Sequence, residues 1–134
     1  MKKIIYGWPW LLSSIWALII FILCATPGQF ILSANWLDLL SFDKFVHATM
    51  FFILCALLFT GGIRYEKKSG LFVLVFAGCV LYGGLLEVMQ AKCFSNRSAD
   101  WQDFVANSFG SLVALLFLKK IRMYFSSEKN KTGR

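Results

Sequence analysis

The chain has 134 residues, 58% of them hydrophobic, with a mean hydropathy of +0.65. A soluble domain of this length has no interior large enough for so much apolar surface, so the composition points to a membrane. The formal net charge of +7 belongs mainly to segments flanking the apolar runs, where it would meet anionic headgroups, and carries no nucleic-acid signal.

Four apolar runs follow one another along the chain, and a membrane helix needs about 20 such residues. The first, Trp8 to Ala25, follows Lys2 and Lys3. It is longer than the apolar region of a secretory signal and no A-x-A site closes it, so it is expected to be retained as a helix. The second covers Phe45 to Thr60, the third Leu71 to Gln90 and the fourth Phe104 to Leu118. Each is bounded by charge, Gly or Pro. The expected fold is all-α: an integral membrane four-helix bundle forming one domain over residues 1–124. The Ser-, Lys- and Asn-rich residues 125–134 are expected to be a disordered basic tail.

Orientation follows from the basic residues, which stay on the cytoplasmic side. Lys2, Lys3, Arg64, Lys67, Lys68, Lys119, Lys120, Arg122, Lys129, Lys131 and Arg134 make 11 of the 14, all in alternate segments, and only Lys44, Lys92 and Arg97 lie opposite. Both termini and the Gly61 to Gly70 loop are therefore expected in the cytoplasm. Of the cysteines, Cys55 and Cys79 fall inside apolar runs and read as packing residues. Cys24 and Cys93 fall near one face, but nothing in their spacing demands a bridge. No C-x-x-C or H-E-x-x-H pair is present, and neither a metal nor another cofactor is expected.

Polar residues intrude upon the spans, where a charge costs about 2.5 to 3.5 kcal/mol on insertion scales. Asp43, Lys44 and His47 share one helical face at the entry of the second span, by their i, i+3 and i, i+4 spacing. Glu87 and Gln90 close the third span on the face that carries Gly83 and Gly84. Asp100, a plausible N-cap, precedes Asp103 and Asn107 at the entry of the fourth, whose stripe continues through Gly110 or Ser111 to Ala114. Small residues below polar ones describe a packed inner face. With Arg97 in the intervening loop, all of these meet at the outer surface. Two readings stand side by side: a network that holds helix ends together, and a functional cluster of ionisable groups in a cleft.

The string Asp43-Lys44-x-x-His47, Glu87-x-x-Gln90, Arg97, Asp103, Asn107 and Gly110 resembles the VanZ-like membrane proteins over nearly the whole chain. Phe51 stands where that pattern often has tyrosine, and Ala114 where it has a second glycine. The resemblance implies a bacterial four-helix protein of the cytoplasmic (inner) membrane, from a group named for a teicoplanin-resistance factor.

Lys44, Lys92 and Arg97 offer donors at headgroup depth, so a lipid-linked phosphate or glycan, or a glycopeptide, is the first expected ligand, with membrane lipids as surroundings. The expected ligand-binding set is Asp43, Lys44, His47, Glu87, Gln90, Arg97, Asp103 and Asn107. An intramembrane enzyme using His47 with Glu87 or Asp103 as base and acid ranks lower, because no nucleophile is evident. A structural or partner-docking protein is the third reading. Trp36 and Trp101 fit the interface as belt anchors.

Overall fold

The structure is a computed structural model, which describes residues 2–26, 36–65, 69–93 and 100–132, with side chains for 3–26, 42–65, 70–93 and 100–125. Every regular element among them is a helix: α1 (Lys2–Gly7), α2 (Pro9–Ala25), α3 (Trp36–Arg64), α4 (Ser69–Cys93), α5 (Trp101–Leu116) and α6 (Leu118–Thr132). Pro9 at the first position of α2 has no N–H to lose there, and the non-helical Trp8 before it separates α1 from α2. Asp100 caps α5, its side chain accepting the Gln102 backbone N–H at 2.9 Å, as its position before the run suggested.

Packing inverts the usual partition of residues. Leu18, Ile22, Val73, Leu74, Leu81, Leu85, Phe109 and Leu116 are all exposed, while His47, Glu87, Gln90, Asp103, Asn107 and Ser111 are buried. Water would penalise both halves of that arrangement, whereas a hydrocarbon surround favours both. By length and composition, Phe42–Arg64 and Gly70–Cys93 qualify as membrane spans, and α5 with α6 forms a third if the bent pair counts as one. The structure is thus all-helical and compatible with a membrane protein.

Two differences from the four-run reading have local causes. The 17-residue α2 reaches about 25 Å at 1.5 Å per residue, less than the roughly 30 Å hydrocarbon core, because Trp8–Pro9 breaks it from α1. The fourth run, in turn, bends by 53° between α5 and α6. There Phe117 still donates its N–H to Val113 at 3.0 Å, and Lys119, Lys120 and Arg122 immediately follow. Such a charged segment gains by turning along a headgroup layer instead of continuing through hydrocarbon. Residues 125–132, expected to be unstructured, continue α6, anchored where Leu118, Ile121 and the buried Phe125 pack inward.

The interior is built on α3, which packs against α2, α4, α5 and α6. Phe51, Phe59, Phe72, Ile20 and Leu86 fill it, with the Phe59 and Phe72 rings edge to face at 5.5 Å. Cys24, Cys55 and Cys79 are buried in this core, and Cys93 is exposed. Small residues set the helix spacing. A Cβ on Gly110 would collide with the backbone of Ala48, reaching its Cα at 2.9 Å, and one on Gly83 would press on Asn107 at 3.2 Å. Where α3 ends, Arg64 donates to the carbonyl oxygens of Tyr6 and Gly7 at the C-terminus of α1, and Tyr6 stacks on Phe125. The polar residues gather at the opposite end, where α3 and α5 enter and α2 and α4 leave.

Candidate functional site: a carboxylate and histidine cluster at one helix end

The close approach of Gly110 to Ala48 brings the faces of α3 and α5 into side-chain contact one to two turns above. There Lys44 Nζ donates to Asp100 Oδ2 at 3.0 Å and to Asp103 Oδ1 at 2.9 Å. These are charge-assisted bonds between groups largely shielded from solvent, with side-chain exposures of 22% for Lys44 and 11% for Asp103. The Gln102 backbone N–H, first, and Lys44 beside it hold the Asp100 carboxyl below the ordinary aspartate value, outweighing desolvation.

One turn deeper, His47 Nδ1 lies 3.1 Å from Asn107 Oδ1. With the Asn107 amide in this orientation its oxygen accepts, which corresponds to the tautomer that carries the proton on Nδ1. Nε2 is thereby turned toward Asp43 Oδ1 at 3.8 Å and Asp103 Oδ2 at 3.9 Å, both too long for hydrogen bonds. Asp103 divides its two oxygens: one holds Lys44, the other faces the imidazole.

From α4, Glu87 Oε2 accepts the Asp100 backbone N–H at 3.0 Å, which ties the entry of α5 to the exit of α4. Its other oxygen, Oε1, is buried without a partner, as is Asn107 Nδ2. Glu87 lies within electrostatic range of both His47 and Asp103. Asn107 packs against Gly83, one helical turn from Glu87. A buried acceptor and a buried donor thus stand unmatched close to one face of α4, and each costs about 1–3 kcal/mol while it stays so.

Of the residues expected to converge, Asp43, Lys44, His47, Glu87, Asp100, Asp103 and Asn107 are brought together. Gln90 turns away, its Nε2 donating to Cys24 O at 3.1 Å on α2; it fastens the exit of α2. Arg97 lies outside the described residues, Lys92 is exposed, and Trp101 is exposed at the first position of α5. Alongside the cluster, a largely apolar groove of about 400 Å³ runs between α3 and α5, with Lys44 at its polar end and Phe45, Val105 and Phe109 among its walls.

Sequence reasoning placed Asp43, His47 and Asp103 in one cluster but expected no metal there; their ligand atoms all lie within 4.8 Å of one another. The i, i+4 pair of Asp43 and His47 was a visible signal. The third member comes from another helix, and only the rotation of α5 about its axis selects it over Asp100. No family model, curated protein or solved structure matches the chain.

Proposed function

We propose that the chain is a VanZ-like multi-pass protein of the bacterial cytoplasmic membrane whose polar end faces outward and binds a cell-envelope ligand. In this reading α2 to α5 cross as a four-helix bundle, the short α2 sitting in a locally thinned bilayer, and both termini and the basic α6 lie on the cytoplasmic side. The basic asymmetry of the sequence supports that orientation.

The observation that carries the binding reading is the imbalance of the cluster. Asp43, Glu87, Asp100 and Asp103 gather here, and among the described side chains the lysine that pairs with any of them is Lys44, already held by Asp100 and Asp103. Such a site suits a ligand rich in donors, such as the hydroxyls of a glycan or the ammonium and amide groups of a glycopeptide of the teicoplanin type. A lipid-linked form of the ligand has a place for its tail in the groove between α3 and α5, whose polar end is Lys44. For a phosphate, the residue assigned from the sequence is Arg97, because a guanidinium can pair with it bidentately.

The purely structural reading is favoured by one observation, the Lys44 clamp, which joins α3 to the α5 entry whatever else the cluster does. The two separate in native mass spectrometry of protein released from bacterial membranes. A bound glycolipid or lipid-linked phosphate on the wild type that disappears in His47→Gln, at unchanged melting temperature, supports binding. Identical lipid retention in both proteins supports the structural role.

A further inference from the structure

The three groups that converge at the mouth of the cluster have the makings of a metal site. Asp43 Oδ1 and Asp103 Oδ2 stand 3.8 and 3.9 Å from His47 Nε2. With Nδ1 on Asn107, the ring turns Nε2 toward one oxygen of each aspartate, the arrangement in which a cation among the three would be held by all of them. Ligands of a tetrahedral zinc lie about 2.0–2.2 Å from the metal and so a little over 3 Å apart, and small side-chain rotations would close the difference.

The surroundings match what a bound ion needs. Metal-ligating histidines donate their second ring N–H to a carbonyl or carboxylate, which fixes ring and tautomer, and Asn107 Oδ1 occupies that place. Lys44 on the far oxygen of Asp103 orients that carboxylate in the same way. An independent sign comes from α4. Glu87 is 7% exposed, yet its Oε1 has no partner and it sits within electrostatic range of His47 and Asp103. A buried carboxylate oxygen within range of the Asp103 carboxylate gains from positive charge there. Asp43, with a side chain 41% exposed, leaves the ion a route in.

We propose that Asp43, His47 and Asp103 bind one divalent cation of the zinc or manganese class, with Glu87 adding negative charge behind it. One imidazole with two carboxylates suits these ions better than magnesium or calcium, which prefer oxygen ligands alone. The ion would give a carboxylate-rich pocket the positive centre needed to meet an anionic headgroup. The site itself does not rest on the identity of the larger ligand.

The test is titration of zinc chloride and manganese chloride into the untagged full-length chain in nanodiscs, in a Cys93→Ser background that removes the exposed thiol. One equivalent of zinc or manganese is expected to bind, weakened at least tenfold in both Asp43→Asn and His47→Gln. Asp43 lies at the edge of the cluster, so its variant tests the site even where His47→Gln folds poorly. Gly78→Ala, on α4 with open space around the added methyl group, should bind as the wild type does. Absence of saturable binding would overturn the proposal, and so would binding of equal strength in Asp43→Asn. Lipid or glycopeptide binding without metal binding would remove the ion and leave the proposed function standing; metal binding without either ligand would do the reverse.

Discussion

Gly110 on α5 lies so close to Ala48 on α3 that a single added methyl group would strike the Ala48 backbone. This contact sets the distance at which His47 reaches Asn107 and Lys44 reaches Asp103, since those residues lie within two turns above it on the same two helices. Backbone meets backbone here, so no side chain can swing aside to make room. Gly110→Ala should therefore destabilise the protein by about 1–3 kcal/mol, the usual cost of overpacking, and Gly110→Leu should prevent stable folding. Chemical unfolding in detergent checks this, and a Gly110→Ala protein as stable as wild type would contradict it. Gly78 has open space around its Cα, so Gly78→Ala serves as a neutral control.

Lys44 bonds two carboxylates at the entry of α5. Removing it leaves Asp103 shielded from solvent and without its cation, and Lys44→Ala should cost about 1–3 kcal/mol, below the range for a fully buried pair because Lys44 keeps some exposure. Lys44→Met combined with Asp103→Leu should recover part of the loss by removing both charges. Thermal melts of the single and double variants form the cycle, and strictly additive losses would show that the pair is not coupled.

Asp100 contributes to stability in a pH-dependent way. Its carboxyl is held below the ordinary value by the Gln102 N–H and by Lys44. A depressed folded pKa means that the unfolded state takes up the proton first. The stabilisation is thus fully present above about pH 4, the unfolded aspartate value, and is lost as pH falls through the folded value. Between pH 7 and pH 3 the stability of wild type should fall more steeply than that of Asp100→Asn, which keeps a capping oxygen but cannot titrate. Parallel curves would refute the assignment.

Much of this arrangement was legible in the sequence. The stripe from Asp103 and Asn107 through Gly110 or Ser111 to Ala114 was read from helical spacing, and Asp103, Asn107, Gly110, Ser111 and Ala114 are the buried residues of α5. Asp43 with His47, and Asp100 as a cap, were visible for the same reason: local spacing dictates which residues share a face or start a helix. The partners across helices were not. That His47 selects Asn107, and that Gln90 holds Cys24 on α2 while Glu87 holds the α5 entry, depends on the rotation of each helix about its axis, and hydropathy leaves that free in a chain whose outside is as apolar as its core. The bend at Phe117 escaped because the apolar run continues through Leu118.

Orientation can be read with the protein's own thiols. Cys93 is exposed at the end of α4 beside the polar cluster, while Cys24, Cys55 and Cys79 are buried. A membrane-impermeant maleimide should label Cys93 in intact spheroplasts, and Cys93→Ser should abolish the labelling. Labelling only in inverted vesicles would reverse the topology and with it the side on which the cluster faces.

The central claim, that the cluster binds an envelope ligand, is met most directly by titrating teicoplanin, and separately a long-chain polyprenyl phosphate, into the protein in nanodiscs. Wild type, His47→Gln and Arg97→Lys would be compared, with melting temperatures recorded alongside. The account predicts saturable binding of at least one of the two to wild type. It also predicts at least a tenfold loss in His47→Gln at near-unchanged stability, and a loss in Arg97→Lys confined to the phosphate, because lysine keeps the charge without the fork. Absence of binding of both, or equal affinity in wild type and His47→Gln, would contradict it.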